Sequence, residues 1–98
     1  MQAEWAGRTV IITGASGNLG AAVARAFAAR GASLVLVDRH LDALQRAGFA
    51  DDGRTLLSVT DLLDQARVSA MVQSAVAKFG GVHGLCNIAG GFRLGEAV

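Results

Sequence analysis

The chain has no tyrosine, and Lys78 is its only lysine. Acid–base catalysis through a tyrosine is therefore excluded within these 98 residues. A single cysteine, Cys86, cannot form an internal disulfide, which fits a reducing compartment. Charge is scarce as well: charged residues make up 17%, and the net charge is +1. Such a balance builds no field for nucleic acid or for an acidic membrane surface, so neither is an expected partner. No apolar run reaches the ~18 residues that span a bilayer. The opening Met1-Gln2-Ala3-Glu4-Trp5 lacks the basic and apolar regions of a signal peptide. Cytoplasm is the expected location. His40 and His83 stand far apart, with no Cys or acidic residue at metal-ligand spacing, so no metal site is expected.

What is present is apolar and ordered. Hydrophobic residues make up 52% of the chain, enough for a globular core, and its length bounds it to one domain. The most informative segment runs from Thr9 through Val10-Ile11-Ile12-Thr13, then Gly14-Ala15-Ser16-Gly17-Asn18-Leu19-Gly20, into Ala21-Ala22-Val23. It reads as a buried strand, a tight glycine turn and a helix. Further strands are expected at 33–38, 82–87 and, more weakly, 55–59. The runs at 33–38 and 82–87 lack strict alternation, as strands covered on both faces do.

Helical spacing of Leu19, Val23, Ala26 and Phe27 predicts a helix closed by Gly31. Residues 41–47 predict a short helix ended by Gly48. A longer one follows over 64–79, with Asp64 as N-cap, Gly80-Gly81 as terminator, and Val68, Met71, Val72, Ala75, Val76 and Phe79 on one face. The order β-α-β-α-β-α-β predicts an α/β fold: a doubly wound parallel sheet of four strands and about three helices, ordered 3-2-1-4. Trp5 reads as a packing residue, Cys86 as a small buried hydrophobe, and Asp51-Asp52-Gly53 as a turn.

A strand, a glycine turn and a helix N-terminus in succession make an anion site, because unpaired N–H groups and the helix dipole converge there. Gly14 permits the sharp turn, Gly17 admits a phosphate to the backbone, and Gly20 lets helix and strand pack closely. Ser16 and Asn18 can add donors. A turn in some other α/β protein would use the same glycines. Asp38 ends the second strand about 20 residues further on, where an acidic residue accepts the adenosine ribose hydroxyls of a dinucleotide. Such a carboxylate repels a 2′-phosphate and favours NAD over NADP. Its other reading is a solvated Asp that caps the following helix. Arg39 can pair with a 2′-phosphate, cover the adenine or face solvent.

Together, the Thr13–Gly20 segment, Asp38, Asp61-Leu62 and Asn87-Ile88-Ala89-Gly90 resemble the N-terminal half of a short-chain dehydrogenase/reductase. The resemblance covers roughly Gly7 to Gly91. It implies a Rossmann-like, NAD(P)-binding half-domain over residues 1–98, with Leu19 in the phosphate loop. It also implies that Asp61 and Leu62 lie against the adenine and that Asn87, Ala89 and Gly90 end the fourth strand beside the cofactor. Two positions depart from the family pattern. Asn18 replaces the middle glycine, which Gly17 supplies one residue earlier, and Ile88 replaces the second Asn. The first spacing is similar to the extended branch of epimerases and dehydratases, the second segment to the shorter branch of dehydrogenases and ketoreductases.

The implied reaction is hydride transfer between nicotinamide and a small alcohol or ketone. The family's Tyr, Lys and Ser follow the fourth strand, so no catalytic residue is assigned in this chain. A noncatalytic nucleotide-binding module is the alternative. The fourth strand has no Lys or Pro to guard it against pairing, which predicts association with further copies or segments.

Overall fold

The structure, a computed structural model, describes residues 4–88. Four strands form one sheet: β1 (Thr9–Thr13), β2 (Ser33–Asp38), β3 (Thr55–Val59) and β4 (Gly84–Asn87). Three helices alternate with them: α1 (Asn18–Ala29), α2 (Leu41–Arg46) and α3 (Gln65–Phe79). All pairings are parallel, in the order β3-β2-β1-β4. The expected α/β class, element order and strand order are all present.

Burial on both faces explains the near-continuous apolar strands. Val10, Ile12, Leu34 and Leu36 pack with Ala15, Ala24, Ala32 and Leu44 on the side of α1 and α2. Ile11, Val35 and Val37 meet Met71 and Ala75 of α3 on the other. Trp5 closes one end of the first cluster, edge-on to Phe27 with ring centroids 4.9 Å apart. Helix ends follow local chemistry. Asp64 caps α3 by accepting from the N–H groups of Ala66 and Arg67. After α1, Gly31 and Ala32 donate to the carbonyls of Ala28 and Phe27, satisfying the last turn.

Three expectations are modified. β4 begins at Gly84 rather than Val82. At its entrance the His83 N–H donates to the Thr9 carbonyl at 2.8 Å, but the Thr9 N–H goes to the His83 ring, at Nδ1, 3.0 Å away, and not to a strand carbonyl. Cys86 is half-buried, packed against the first cluster from the sheet edge. The apolar stripe of α3 is only partly covered: Met71 and Ala75 are buried, whereas Val72 and Val76 are 36% and 46% exposed. Leu85, in register with Ile11 and so on the same face as α3, is 64% exposed.

The two edges of the sheet differ. Asp51 Oδ1 accepts the outward Leu57 N–H at 2.8 Å, and Lys78 Nζ donates to the carbonyls of Asp52 and Thr55 at 2.6 and 3.1 Å. The expected Asp51-Asp52-Gly53 turn thus folds over the edge of β3. Among the described residues nothing similar covers β4. Met71→Ala should therefore cost about 2–5 kcal/mol in urea unfolding, as buried truncations do. Val76→Ala, on the uncovered side, should change stability by no more than ~0.5 kcal/mol. Equal losses at the two positions would contradict this packing.

Candidate cofactor-binding site

The site is built where β1 passes into α1. Gly14 turns the chain out of the strand with φ +66°, a left-handed conformation costly for a side chain. Its N–H donates to the Val37 carbonyl at 2.9 Å, which ties the turn to the end of β2. Gly17 then serves as N-cap of α1, with no side chain to occupy the helix end. The first intrahelical bond runs from the Ala21 N–H to the Gly17 carbonyl at 2.8 Å. The N–H groups of Asn18, Leu19 and Gly20 precede it and are the natural donors of this helix end. No acidic residue stands in the first turn to neutralise the dipole.

Gly20 sets how close the helix comes. A Cβ on it would lie 2.1 Å from the Gly14 carbonyl oxygen and 2.9 Å from the Ala15 Cα. The close approach is thus to the loop backbone beyond the strand, not to the strand itself. Backbone donors, an uncapped helix end and a glycine turn fit a dinucleotide pyrophosphate.

Asp38, at the end of β2, faces this loop. Its Oδ2 accepts from the Ser16 hydroxyl at 2.5 Å and its Oδ1 from the His40 N–H at 3.2 Å. Partial burial raises its pKa, but the bonds from the Ser16 hydroxyl and from the His40, Arg39 and Ser16 N–H groups outweigh that. The net result lies below the ordinary carboxylate value. Asp38 therefore stabilises the fold fully above the unfolded value of ~3.9, and this is lost as pH falls through its lower folded value. His40 is the N-cap of α2 and makes no side-chain bond there; Asp38 serves that helix end only through the His40 N–H. The Ser16 hydroxyl is directed at Asp38.

A cleft of about 290 Å³ opens beside Asp38, lined by Gly14, Val37, Asp38, Arg39, Thr60, Asp61, Leu62 and Leu63. Asp61 Oδ1 accepts the Leu63 N–H at 2.9 Å, a local turn that holds Leu62 and Leu63 at the rim. The Arg39 guanidinium, exposed at this rim, has no ion-pair partner among the described residues. Val37, Thr60 and Leu63 complete the wall and were not singled out from sequence. The signal for Leu63 was an apolar residue beside Asp61-Leu62; nothing marked buried Thr60.

Asn87 lies across the sheet, where its Oδ1 accepts from the Thr13 hydroxyl at 2.9 Å, and the same hydroxyl receives the Ile88 N–H at 2.8 Å. Ala89 and Gly90 fall outside the described residues. A second cleft, between α1 and α2, opens on the same loop: Ser16, Gly17 and Asn18 line it together with Arg25 and Arg46. Both are engaged within the protein, Arg25 with the Ala47 carbonyl and the Phe49 ring, Arg46 with Asp42. Among the described residues, no three His, Cys, Asp or Glu side chains form a metal-binding group, and no helix is long and apolar enough to cross a membrane.

A parallel, doubly wound sheet with a glycine loop at one helix N-terminus is the arrangement of a nucleotide-binding Rossmann domain. The chain belongs to the short chain dehydrogenase family, whose sequence model matches residues 8–97. It is 39% identical over 88 residues to levodione reductase of Leifsonia aquatica, covering 85% of this chain and 33% of that protein. It is also similar to a 3-ketoacyl-(acyl-carrier-protein) reductase from Brucella melitensis solved with NADH. There the identity is 34% and the TM-score 0.75, over 84% of this chain and 34% of that one. L-sorbose reductase from Gluconobacter frateurii, solved with NADPH and L-sorbose, is 34% identical with a TM-score of 0.77, over 100% of this chain and 40% of that one. The chain spans about a third of the length of the curated relatives it matches.

The loop geometry separates its glycines experimentally. Helix propensity alone would favour Gly20→Ala by about 1 kcal/mol. The backbone overlap reverses that sign, and the expected result is a loss of about 1–3 kcal/mol in thermal or urea unfolding. At Gly17 a Cβ would meet only the Gly14 oxygen at 3.6 Å, an ordinary contact. Gly17→Ser should leave stability unchanged or raise it by a few tenths of a kcal/mol through N-capping. A stable Gly20→Ala protein would refute the close approach.

Proposed function

We propose that this chain is the nicotinamide-dinucleotide-binding part of an oxidoreductase that moves hydride between the cofactor and a small alcohol or ketone. One observation carries the reading: the open N-terminus of α1 and the Asp38 carboxylate stand at the same end of the sheet, joined by Ser16. The pyrophosphate rests on the loop from Gly14 to Gly20, receiving the N–H groups of Asn18, Leu19 and Gly20. Asp38 accepts the adenosine ribose hydroxyls, and Asp61 and Leu62 flank the adenine. Asn87, with Ala89 and Gly90 after it, serves the far half of the cofactor. Bound nicotinamide supplies the hydride chemistry.

Asp38 makes NAD the preferred cofactor, since a carboxylate at the ribose repels a 2′-phosphate. Arg39 at the rim pulls the other way. Asp38→Ala should weaken NAD binding about tenfold, the scale of a lost charge-assisted hydrogen bond, and improve NADP binding. Calorimetric titration of both nucleotides into both proteins measures this. A wild-type protein that prefers NADP would reverse the assignment in favour of Arg39.

Without a tyrosine, the chain by itself should oxidise no alcohol at an enzymatic rate when assayed with NAD; the family's acid–base group normally contributes ~10²–10⁴-fold. Its half-buried Cys86 thiol suits the reducing cytoplasm. Copies of the chain associate through the open edge of β4 and exposed Leu85. Light scattering after size-exclusion chromatography should show species larger than a monomer. A dilute, cooperatively melting monomer would contradict that association and favour a self-standing nucleotide-binding module.

A further inference from the structure

The geometry points to Ser16 as a positioning residue for cofactor choice: its hydroxyl holds the Asp38 carboxylate against the glycine loop, across the entrance to the adenosine cleft. This inference rests on the cofactor reading above and adds to it a residue that need not touch the nucleotide. The two side chains are 22 positions apart, on the loop before α1 and at the end of β2, and meet at 2.5 Å. Both are partly buried, while Arg39 and His40, which follow Asp38, are exposed.

The carboxylate is held from two sides. Ser16 binds Oδ2 from the loop, and the His40 N–H binds Oδ1 from the start of α2. An aspartate has few rotatable bonds, and two donors on opposite oxygens define its rotamer. The contact thus aligns the negative charge before a nucleotide arrives, when reorganisation would otherwise weaken binding. Each oxygen keeps a lone pair for ribose hydroxyls. The same fixed charge stands where a 2′-phosphate would come, and it cannot turn aside without breaking the bond to Ser16.

Arg39 and Asp61 share the cleft with Asp38. They and His40 are the neighbouring titratable groups, and all three are untouched by a change at Ser16. Once the hydroxyl is removed, only backbone N–H groups hold the carboxylate, and its Oδ2 can swing towards solvent or towards Arg39. Both movements weaken its grip on ribose and its exclusion of phosphate.

The test uses the chain as it stands, with Ser16→Ala and Ser16→Thr. Calorimetric titration with NAD and with NADP gives the ratio of the two dissociation constants. Carbon-detected NMR titration of the Asp38 carboxyl gives a readout that needs no nucleotide. In Ser16→Ala the preference for NAD over NADP should fall by roughly tenfold, the scale of a hydrogen bond to a charged group. The Asp38 titration should move up in the same variant, with a modest drop of the unfolding midpoint at neutral pH that disappears below the Asp38 titration, while unfolding stays cooperative. Ser16→Thr, which keeps the hydroxyl, should restore both the preference and the titration. An unchanged ratio and an unchanged Asp38 titration in Ser16→Ala overturn this inference alone. Failure of the wild-type chain to bind either dinucleotide overturns the cofactor reading, and the positioning role with it.

Discussion

Gly20 lies so close to the Gly14 carbonyl that a methyl group could not enter between them: its carbon would stand 2.1 Å from the oxygen. The rest of the site depends on this contact. It brings the first turn of α1 down onto the loop just beyond β1. There the helix end has no side-chain cap, and the N–H groups of Asn18, Leu19 and Gly20 are its natural donors. The Gly14 turn is in turn bonded to Val37, the residue before Asp38. One close backbone approach therefore sets the positive end of a helix and the charge of an aspartate in a common frame. Van der Waals packing, acting at a single glycine, fixes the electrostatics.

That frame has a polarity. The helix end carries roughly half a positive charge and favours phosphate. Asp38 is negative and favours hydroxyl donors. A dinucleotide has both kinds of group, at separate places along its length, and only one direction satisfies both ends. The parallel sheet enforces this arrangement, because every strand delivers its C-terminal residue to the same rim. Thr13, Asp38, Asp61 just after β3, and Asn87 all arrive there, although they are far apart in the chain.

Much of this was legible in the sequence. The bounds of β1, β2 and β3 follow from apolar runs closed by polar or glycine residues, and α3 from a capping Asp64 and a terminal glycine. The places of four candidate residues were legible as well: a local motif puts Gly14, Gly17 and Gly20 at the turn into α1, and strand length puts Asp38 at the end of β2. Pairings over long sequence separation were not. At the entrance to β4 the His83 ring takes the N–H of Thr9, 74 residues away, which no local pattern records. Likewise the Ser16 hydroxyl looked like a phosphate donor until its partner in β2 was seen. The stripe of α3 promised burial of Val72 and Val76, but spacing states which residues share a face, not whether a neighbour covers it.

The sole lysine shows the same division between composition and context. Lys78 holds the outer edge of β3 instead of joining the site, whereas the edge of β4 is bare among the described residues. The proposed cofactor site at the strand ends and the proposed association edge thus lie on separate parts of the molecule. The central claim is that the Gly14–Gly20 loop and Asp38 receive one dinucleotide together. Backbone amide NMR of the chain during titration with NAD tests it most directly. The account predicts the largest shifts at Asn18, Leu19 and Gly20, with Asp38, Asp61 and Leu62 following at the same nucleotide concentration. Shifts confined to the α1–α2 cleft, at Asn18, Ala43, Arg46 and Ala47, with Asp38, Asp61 and Leu62 unmoved, would contradict it.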